Sequence, residues 1–89
     1  MQSRDVTIVN KLGLHARAAA KFVTAASGFA ADIRLKRDAR EVNGKSIMGV
    51  MMLAASQGTQ IELQAEGDDA DPALDALERL IAERFGEAE

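Results

Sequence analysis

The chain has 89 residues, no cysteine, one histidine and a formal net charge of −3. That length suits one small domain, taken as residues 1–89, which buries about 60% of the surface its unfolded chain exposes. Without thiols there is neither a disulfide framework nor a thiolate metal site, and a lone imidazole gives no reason to expect a metal or other cofactor; charges of both signs are interspersed, which argues against nucleic acid as a partner, because phosphates need a basic face.

No apolar run approaches the ~18–20 residues of a membrane span, and the start, Met1-Gln2-Ser3-Arg4-Asp5, is too polar for a signal peptide. A cytoplasmic protein without membrane insertion is the expectation. Val6 and Ile8 alternate with Asp5 and Thr7, so Arg4 to Val9 reads as a half-buried strand. The loop Asn10 to Leu14 carries Gly13, which allows a sharp turn or a close backbone approach. A helix follows from Ala16 to Ser27, with Ala19, Phe22, Val23 and Ala26 at i, i+3, i+4 and i+7 and Gly28 as its stop. Ile33 and Leu35 alternate with Asp32, Arg34 and Lys36 in a second strand. Arg37-Asp38-Ala39 makes a hairpin turn into a short third strand, Arg40 to Asn43, with Val42 facing inward; its brevity and charge suit a sheet edge. Ser46 stands as N-cap of a short helix from Ile47 to about Leu53. After a turn over Ser56 to Thr59, a fourth strand from Gln60 buries Ile61, Leu63 and Ala65. Asp71 and Pro72 read as N-cap and first residue of a last helix whose apolar face is Leu74, Leu77, Leu80, Ile81 and Phe85. Asp75, Glu78 and Glu83 form its solvated face, and Gly86-Glu87-Ala88-Glu89 reads as a frayed end. The order β-α-β-β-α-β-α gives an α+β fold, an antiparallel sheet with helices on one face; periodicity alone leaves the strand order open.

The only histidine sits where a loop becomes a helix. Ser, Thr, Asp or Asn would usually cap the helix there; His15 is a poor cap and leaves the N–H groups of Ala16 to Ala18 free for something else. Those donors and the positive helix end together make an anion site, and Arg17 adds a planar fork that suits phosphate or carboxylate. Neutral imidazole is a nucleophile near neutral pH, so a phosphoryl group accepted by His15 would land among these donors. On placement alone, a surface histidine and a solvated arginine remain open readings.

The motif is longer than that pair. Gly13-Leu14-His15-Ala16-Arg17, ahead of an alanine-rich helix start, closely resembles the active-site signature of the HPr family, the histidine-containing phosphocarriers of the bacterial phosphoenolpyruvate-dependent phosphotransferase system. The block Asn43-Gly44-Lys45-Ser46-Ile47-Met48-Gly49-Val50-Met51-Met52-Leu53 resembles the segment around that family's regulatory serine. Gln57-Gly58-Thr59 before the fourth strand also fits. The resemblance runs from about Arg4 to Phe85. One departure is Ala18, where the family commonly has proline; alanine is a good helix former and keeps the first turn intact.

The resemblance implies a two-layer open-faced β-sandwich, with a four-stranded antiparallel sheet of order 1-4-2-3 and three helices on one face. It implies that enzyme I, charged by phosphoenolpyruvate, phosphorylates His15 on Nδ1, and that the group passes to a IIA component. Arg17 and the backbone N–H groups of Ala16 and Arg17 would stabilise the phosphoryl charge. Such a protein is a relay and not an enzyme, needs no metal of its own, and suits a monomer. Ser46 would be a regulatory phosphorylation site for an HPr kinase/phosphorylase in hosts that have one. Leu14, Ala20, Ile47, Met48 and Met51 would form the docking surface, Met being flexible enough to meet several partners. A ferredoxin-like small-molecule-sensing domain shares the element string, but does not explain His15 and Arg17 at a helix start. An RNA-binding sheet is disfavoured because no expected strand carries an aromatic to stack on a base. A regulatory binding domain controlled through Ser46 alone is disfavoured by His15, which relatives of that kind lack. Whether the acceptor serves sugar uptake or a nitrogen-linked branch is not written in the sequence.

Overall fold

Apolar residues on one face of four strands set a sheet against a layer of helices. The computed structural model describes residues 1–89 in the order β1 (Gln2–Thr7), α1 (Ala16–Ser27), β2 (Asp32–Arg37), β3 (Arg40–Asn43), α2 (Ile47–Met52), β4 (Gln60–Glu66) and α3 (Ala70–Ala82), with a short turn over Arg84–Gly86. The strands pair antiparallel in the order β1-β4-β2-β3. Val6 lies opposite Ile61, and Leu63 lies opposite Leu35. These residues, with Ile33 and Ala65, are buried beneath the helices, while Ser3, Asp5, Arg34 and Lys36 point from the open face into solvent.

Each helix supplies one apolar stripe. From α1 come Ala18, Ala19, Phe22 and Ala26; from α3, Ala73, Leu74, Leu77 and Ile81. The first-turn alanines therefore pack closely on the core as well as favouring helix. Helix α2 buries only Val50, with Leu53 just past its end, so most of its surface stays outside. Its last carbonyls are satisfied from the β2–β3 hairpin: Arg37 donates to Leu53 and Ala54 (3.2 and 2.7 Å), and Arg40 donates to Met52 (2.6 Å). Cations at a helix C-terminus also complement its dipole.

Three boundaries differ from the sequence reading. Strand β1 runs from Gln2 to Thr7, because Gln2 already pairs with Ala65; Ile8 leaves the regular ladder where Gly58 turns into β4, although Ile8 still donates to Thr59 (2.9 Å) and accepts from Gly58 (2.7 Å). Helix α3 begins at Ala70, placing Asp71 and Pro72 within its first turn. The residue before it, Asp69, does not cap it; its carboxylate accepts from the N–H groups of Ala30 and Ala31, both at 2.8 Å, and so ties the α1–β2 connection to the start of α3. The acidic face of α3 is also partnered. Glu78 (3.1 Å), Asp71 (3.9 Å) and Asp75 gather around the Arg4 guanidinium of β1, while Glu83 stays exposed.

The Ala30 N–H, seconded by that of Ala31, holds the Asp69 carboxyl below the usual aspartate range. A depressed folded-state pKa contributes stability that is whole above the unfolded value, about 4, and is lost as pH falls through the folded value. Asp69→Ala is therefore expected to melt below the parent at pH 7, with the gap closing on acidification below about pH 4. Paired thermal melts at pH 7 and pH 3 check this; a gap that stays constant with pH would locate the effect in helix propensity instead.

Candidate functional site

The loop before α1 is clamped from both sides. Gly13 has φ +66° and lies hard against Ala55 and Ser56. The next N–H, that of Leu14, donates to the Ala55 carbonyl at 2.9 Å. On the other side Asn10, fully buried, donates through Nδ2 to the Gly13 carbonyl at 2.8 Å. The loop thus delivers His15 in an extended conformation (φ −73°, ψ 177°) as the residue before α1. Its side chain makes no capping bond, and the first helical bond runs from Ala19 N–H to the His15 carbonyl (2.8 Å). The N–H groups of Ala16, Arg17 and Ala18 precede that bond and have no acceptor within the helix. Ala16 and Arg17 are exposed, and both line one open concavity with His15.

The chain end is not frayed. It turns back and closes this concavity. Phe85 drops into the core at 1% exposure. Arg84, Phe85 and Gly86 all have positive φ (59°, 55° and 79°), a left-handed turn that costs about 1–2 kcal/mol for each non-glycine residue. Burial of the Phe85 ring, worth about 1.5–3 kcal/mol, is of the same size as this strain and offsets much of it. Lys21 of α1 donates to the Phe85 carbonyl at 2.6 Å, and Lys11 N–H donates to the Glu89 carbonyl at 3.0 Å. Between these ties lies Glu87. One of its oxygens meets His15 Nε2, and the other accepts from Asn10 Nδ2 at 3.0 Å. The His15 contact and then the Asn10 bond hold the Glu87 carboxyl below the usual glutamate range. An ionised carboxylate only accepts hydrogen bonds, so Nε2 carries a proton in this contact, and in the neutral ring the lone pair is then on Nδ1.

The sequence reading missed Asn10 and Glu87. A usable signal was present for the second: an apolar residue followed by glycine just past an amphipathic helix marks a chain that reverses into a hydrophobic contact.

The residues named as a docking surface divide. Ile47, Met48 and Met51 are exposed (43%, 69% and 38%) on α2, which packs beside α1. Met52 and Leu12 add exposed apolar surface (64% and 67%) that the sequence reading left out. Ala20 is half-buried. Leu14 is corrected: it is 5% exposed and belongs to the core, drawn inward by the Leu14–Ala55 backbone bond, so its side chain offers a partner almost nothing. Ser46 is the N-cap of α2, its Oγ accepting from Gly49 N–H at 3.1 Å. No group of three or more His, Cys, Asp or Glu side chains is arranged to hold a metal ion, and no helix is long and apolar enough to cross a membrane. The arrangement presents an imidazole lone pair beside unbonded N–H groups and a guanidinium, which is chemistry for accepting and holding an anionic acyl or phosphoryl group.

Comparison with known proteins points the same way. The family model described as "PTS HPr component phosphorylation site" matches residues 2–83. Phosphocarrier protein HPr of Cupriavidus necator is 54% identical over 89 residues, covering all of both chains. The crystal structure of HPr from Thermoanaerobacter tengcongensis superposes with a TM-score of 0.96 at 49% identity, again over all of both chains. A dimer of HPr from that organism superposes at 0.79 with 50% identity, covering 98% of this chain and all of the other.

Proposed function

The chain belongs to the HPr family, the phosphocarriers of the phosphotransferase system, and from that premise we propose that residues 1–89 act as one cytoplasmic, monomeric relay in which His15 carries the phosphoryl group. Phosphorylated enzyme I is the donor and a IIA component the acceptor. His15 Nδ1 is the nucleophile. The N–H groups of Ala16 and Arg17 and the Arg17 guanidinium receive the phosphoryl oxygens, each helix-end donor contributing modestly, about 0.3–1 kcal/mol where exposed. A shallow well suits a group that must be given away again. Net turnover belongs to the partners; the chain itself is a protein substrate, and Mg²⁺ serves the donor.

The observation that carries this reading is the bare helix start: His15 stands at the N-cap of α1 without capping it, so nucleophile and anion donors share one exposed concavity. Incubation with enzyme I, Mg²⁺ and phosphoenolpyruvate, followed by intact-mass analysis, tests it. One added phosphoryl group that acid removes is the expected result. No modification by an enzyme I that is active on another carrier would sink the proposal.

Exposed Ile47, Met48 and Met51 on α2 support a docking face beside the site, with Ala20 at its margin. Ser46 at the start of that helix is the proposed regulatory position, addressed by an HPr kinase/phosphorylase. Phosphoserine brings about −1.5 to −2 charges, which a helix N-terminus tolerates but an apolar docking contact does not. Ser46→Asp is therefore expected to keep the fold and raise the apparent KM for phosphorylated enzyme I about tenfold, about 1.4 kcal/mol, with kcat little changed. Steady-state transfer assays check the split; an unchanged KM would remove Ser46 from control of docking.

A further inference from the structure

We propose that Glu87 is a positioning residue for phosphoryl transfer, its carboxylate holding the Nε2–H of His15 so that the Nδ1 lone pair faces the start of α1. The inference rests on the phosphocarrier reading of His15 and adds to it a residue outside the Gly13–Arg17 motif.

The carboxylate is aimed, not merely nearby. Both of its oxygens are engaged, one on His15 Nε2 and one on Asn10 Nδ2 at 3.0 Å. Asn10 is fully buried and its same Nδ2 also holds the Gly13 carbonyl at 2.8 Å, so the amide that orients Glu87 belongs to the loop that presents His15. Two acceptor oxygens facing Nδ2 commit the amide to this orientation, since turned over it would set Oδ1 against both the Gly13 carbonyl and the carboxylate; Oδ1 itself is buried without a partner. The tail does not need His15 for its placement. Phe85 in the core, the Lys21 bond to the Phe85 carbonyl and the Lys11 bond to the Glu89 carbonyl fix it on both sides of Glu87. The backbone there accepts a left-handed turn at Arg84 and Phe85, and the side chain that this turn delivers to the site is Glu87. The lowered titration of Glu87 is consistent with this placement and keeps the contact ionised across the neutral range.

The chemistry follows the logic of a carboxylate behind a reacting imidazole. The Nδ1 lone pair forms the new N–P bond, and the donor's bond to phosphorus breaks with its electron pair remaining on the donor. The Nε2 proton stays on the ring, shared with Glu87. The ring gains positive charge as the N–P bond forms, and the carboxylate is its fixed counter-ion. On the return step that charge is relieved as the phosphoryl group leaves.

The test combines ring ¹⁵N NMR with single-turnover transfer from phosphorylated enzyme I, on the parent, Glu87→Ala and Glu87→Gln. In the parent the ring is expected to be a single Nε2–H tautomer. Glu87→Ala is expected to mix the two tautomers and slow transfer about tenfold, within the range for removing a carboxylate behind a histidine. Glu87→Gln retains an acceptor oxygen and should restore the ring signature and part of the rate. Backbone spectra away from the site should match the parent in both variants. A Glu87→Ala protein that transfers at the parent rate or faster, or whose ring signature does not change, overturns the proposal; faster transfer would make Glu87 a competing anion. If the parent accepts no phosphoryl group at all, the carrier reading is what fails, and the ring spectra still report on Glu87.

Discussion

His15→Ala is expected to end phosphoryl acceptance outright: no acid-labile mass increase with enzyme I, Mg²⁺ and phosphoenolpyruvate, under conditions that modify the parent fully. The chain offers no substitute nucleophile. It has no cysteine and no second histidine. The Ser46 hydroxyl is held at the start of α2 and would give an acid-stable ester, which the same assay distinguishes. The N–H donors at the site can bind a phosphoryl group but cannot carry it, and the Glu87 carboxylate, an anion held by Asn10, repels one. The fold should tolerate the change. The His15 side chain makes no cap bond and lies outside the core cluster, and the carbonyl that starts α1 belongs to the backbone, which alanine keeps. Glu87 loses one partner and retains Asn10. The stability cost is expected within about 1 kcal/mol, a small surface effect, so melting curves should nearly superpose. Arg17→Ala belongs to a different class: the helix-end N–H groups remain, and transfer should slow without stopping. A His15→Ala protein that fails to fold would assign the imidazole a structural role.

How much of this could be read without coordinates depends on how local the cause is. Helix α1 is legible to the residue, because its apolar spacing, its missing cap and the glycine at its end are all local signals. Ser46 is legible for the same reason: an N-cap acts within three residues. Periodicity did not give the strand order, since period-2 alternation fixes which face is buried and says nothing of which strand lies beside which; the order 1-4-2-3 came from the family resemblance, and the sheet has it. The position of Leu14 failed in an instructive way. It stands beside His15, the proposed nucleophile, which is part-exposed, but its own N–H pairs with Ala55, forty-one residues away, and its side chain lies in the core. The tail failed most. Four polar or small residues after a helix resemble a frayed end until Phe85 is seen to be buried and Lys21, on another helix, to bind its carbonyl. Those contacts join the two ends of the chain, and no window along the sequence contains both. Phe85-Gly86 is a local signal for the reversal, but the contact of Glu87 with His15, the one residue that the sequence singled out, is not local and was missed for this reason.

Adding one methyl group two residues before that histidine is expected to damage both fold and transfer. In Gly13→Ala the new Cβ would stand 2.6 Å from the Ala55 carbonyl oxygen and 2.8 Å from Ser56 Cα, and both obstacles are backbone that cannot rotate away. The Gly13 φ of +66° adds the left-handed penalty, about 1–2 kcal/mol, to an overpacking cost of about 1–3 kcal/mol. Pushing Ala55 aside also stretches its 2.9 Å bond from Leu14 N–H, worth about 1 kcal/mol. The sum, roughly 3–6 kcal/mol, is a large share of the ~4–13 kcal/mol expected for a domain of this size, and corresponds to a fall in Tm of at least about 12 °C. At a temperature where the variant remains folded, transfer should still be about 100-fold slow, because the displaced loop carries His15 with it and a shift of about 1 Å at a reacting atom has that effect. Gly58→Ala separates the two causes. Gly58 also has positive φ, at +89°, yet a Cβ there meets nothing within 4 Å. It should lose only the conformational part, about 1–2 kcal/mol, and keep its transfer rate. Equal losses in the two variants would mean that Gly13 is needed for its dihedral alone; a larger loss at Gly13, with slow transfer, would show that the phosphorylation site is held in register by direct contact between the loop and the Ala55–Ser56 backbone.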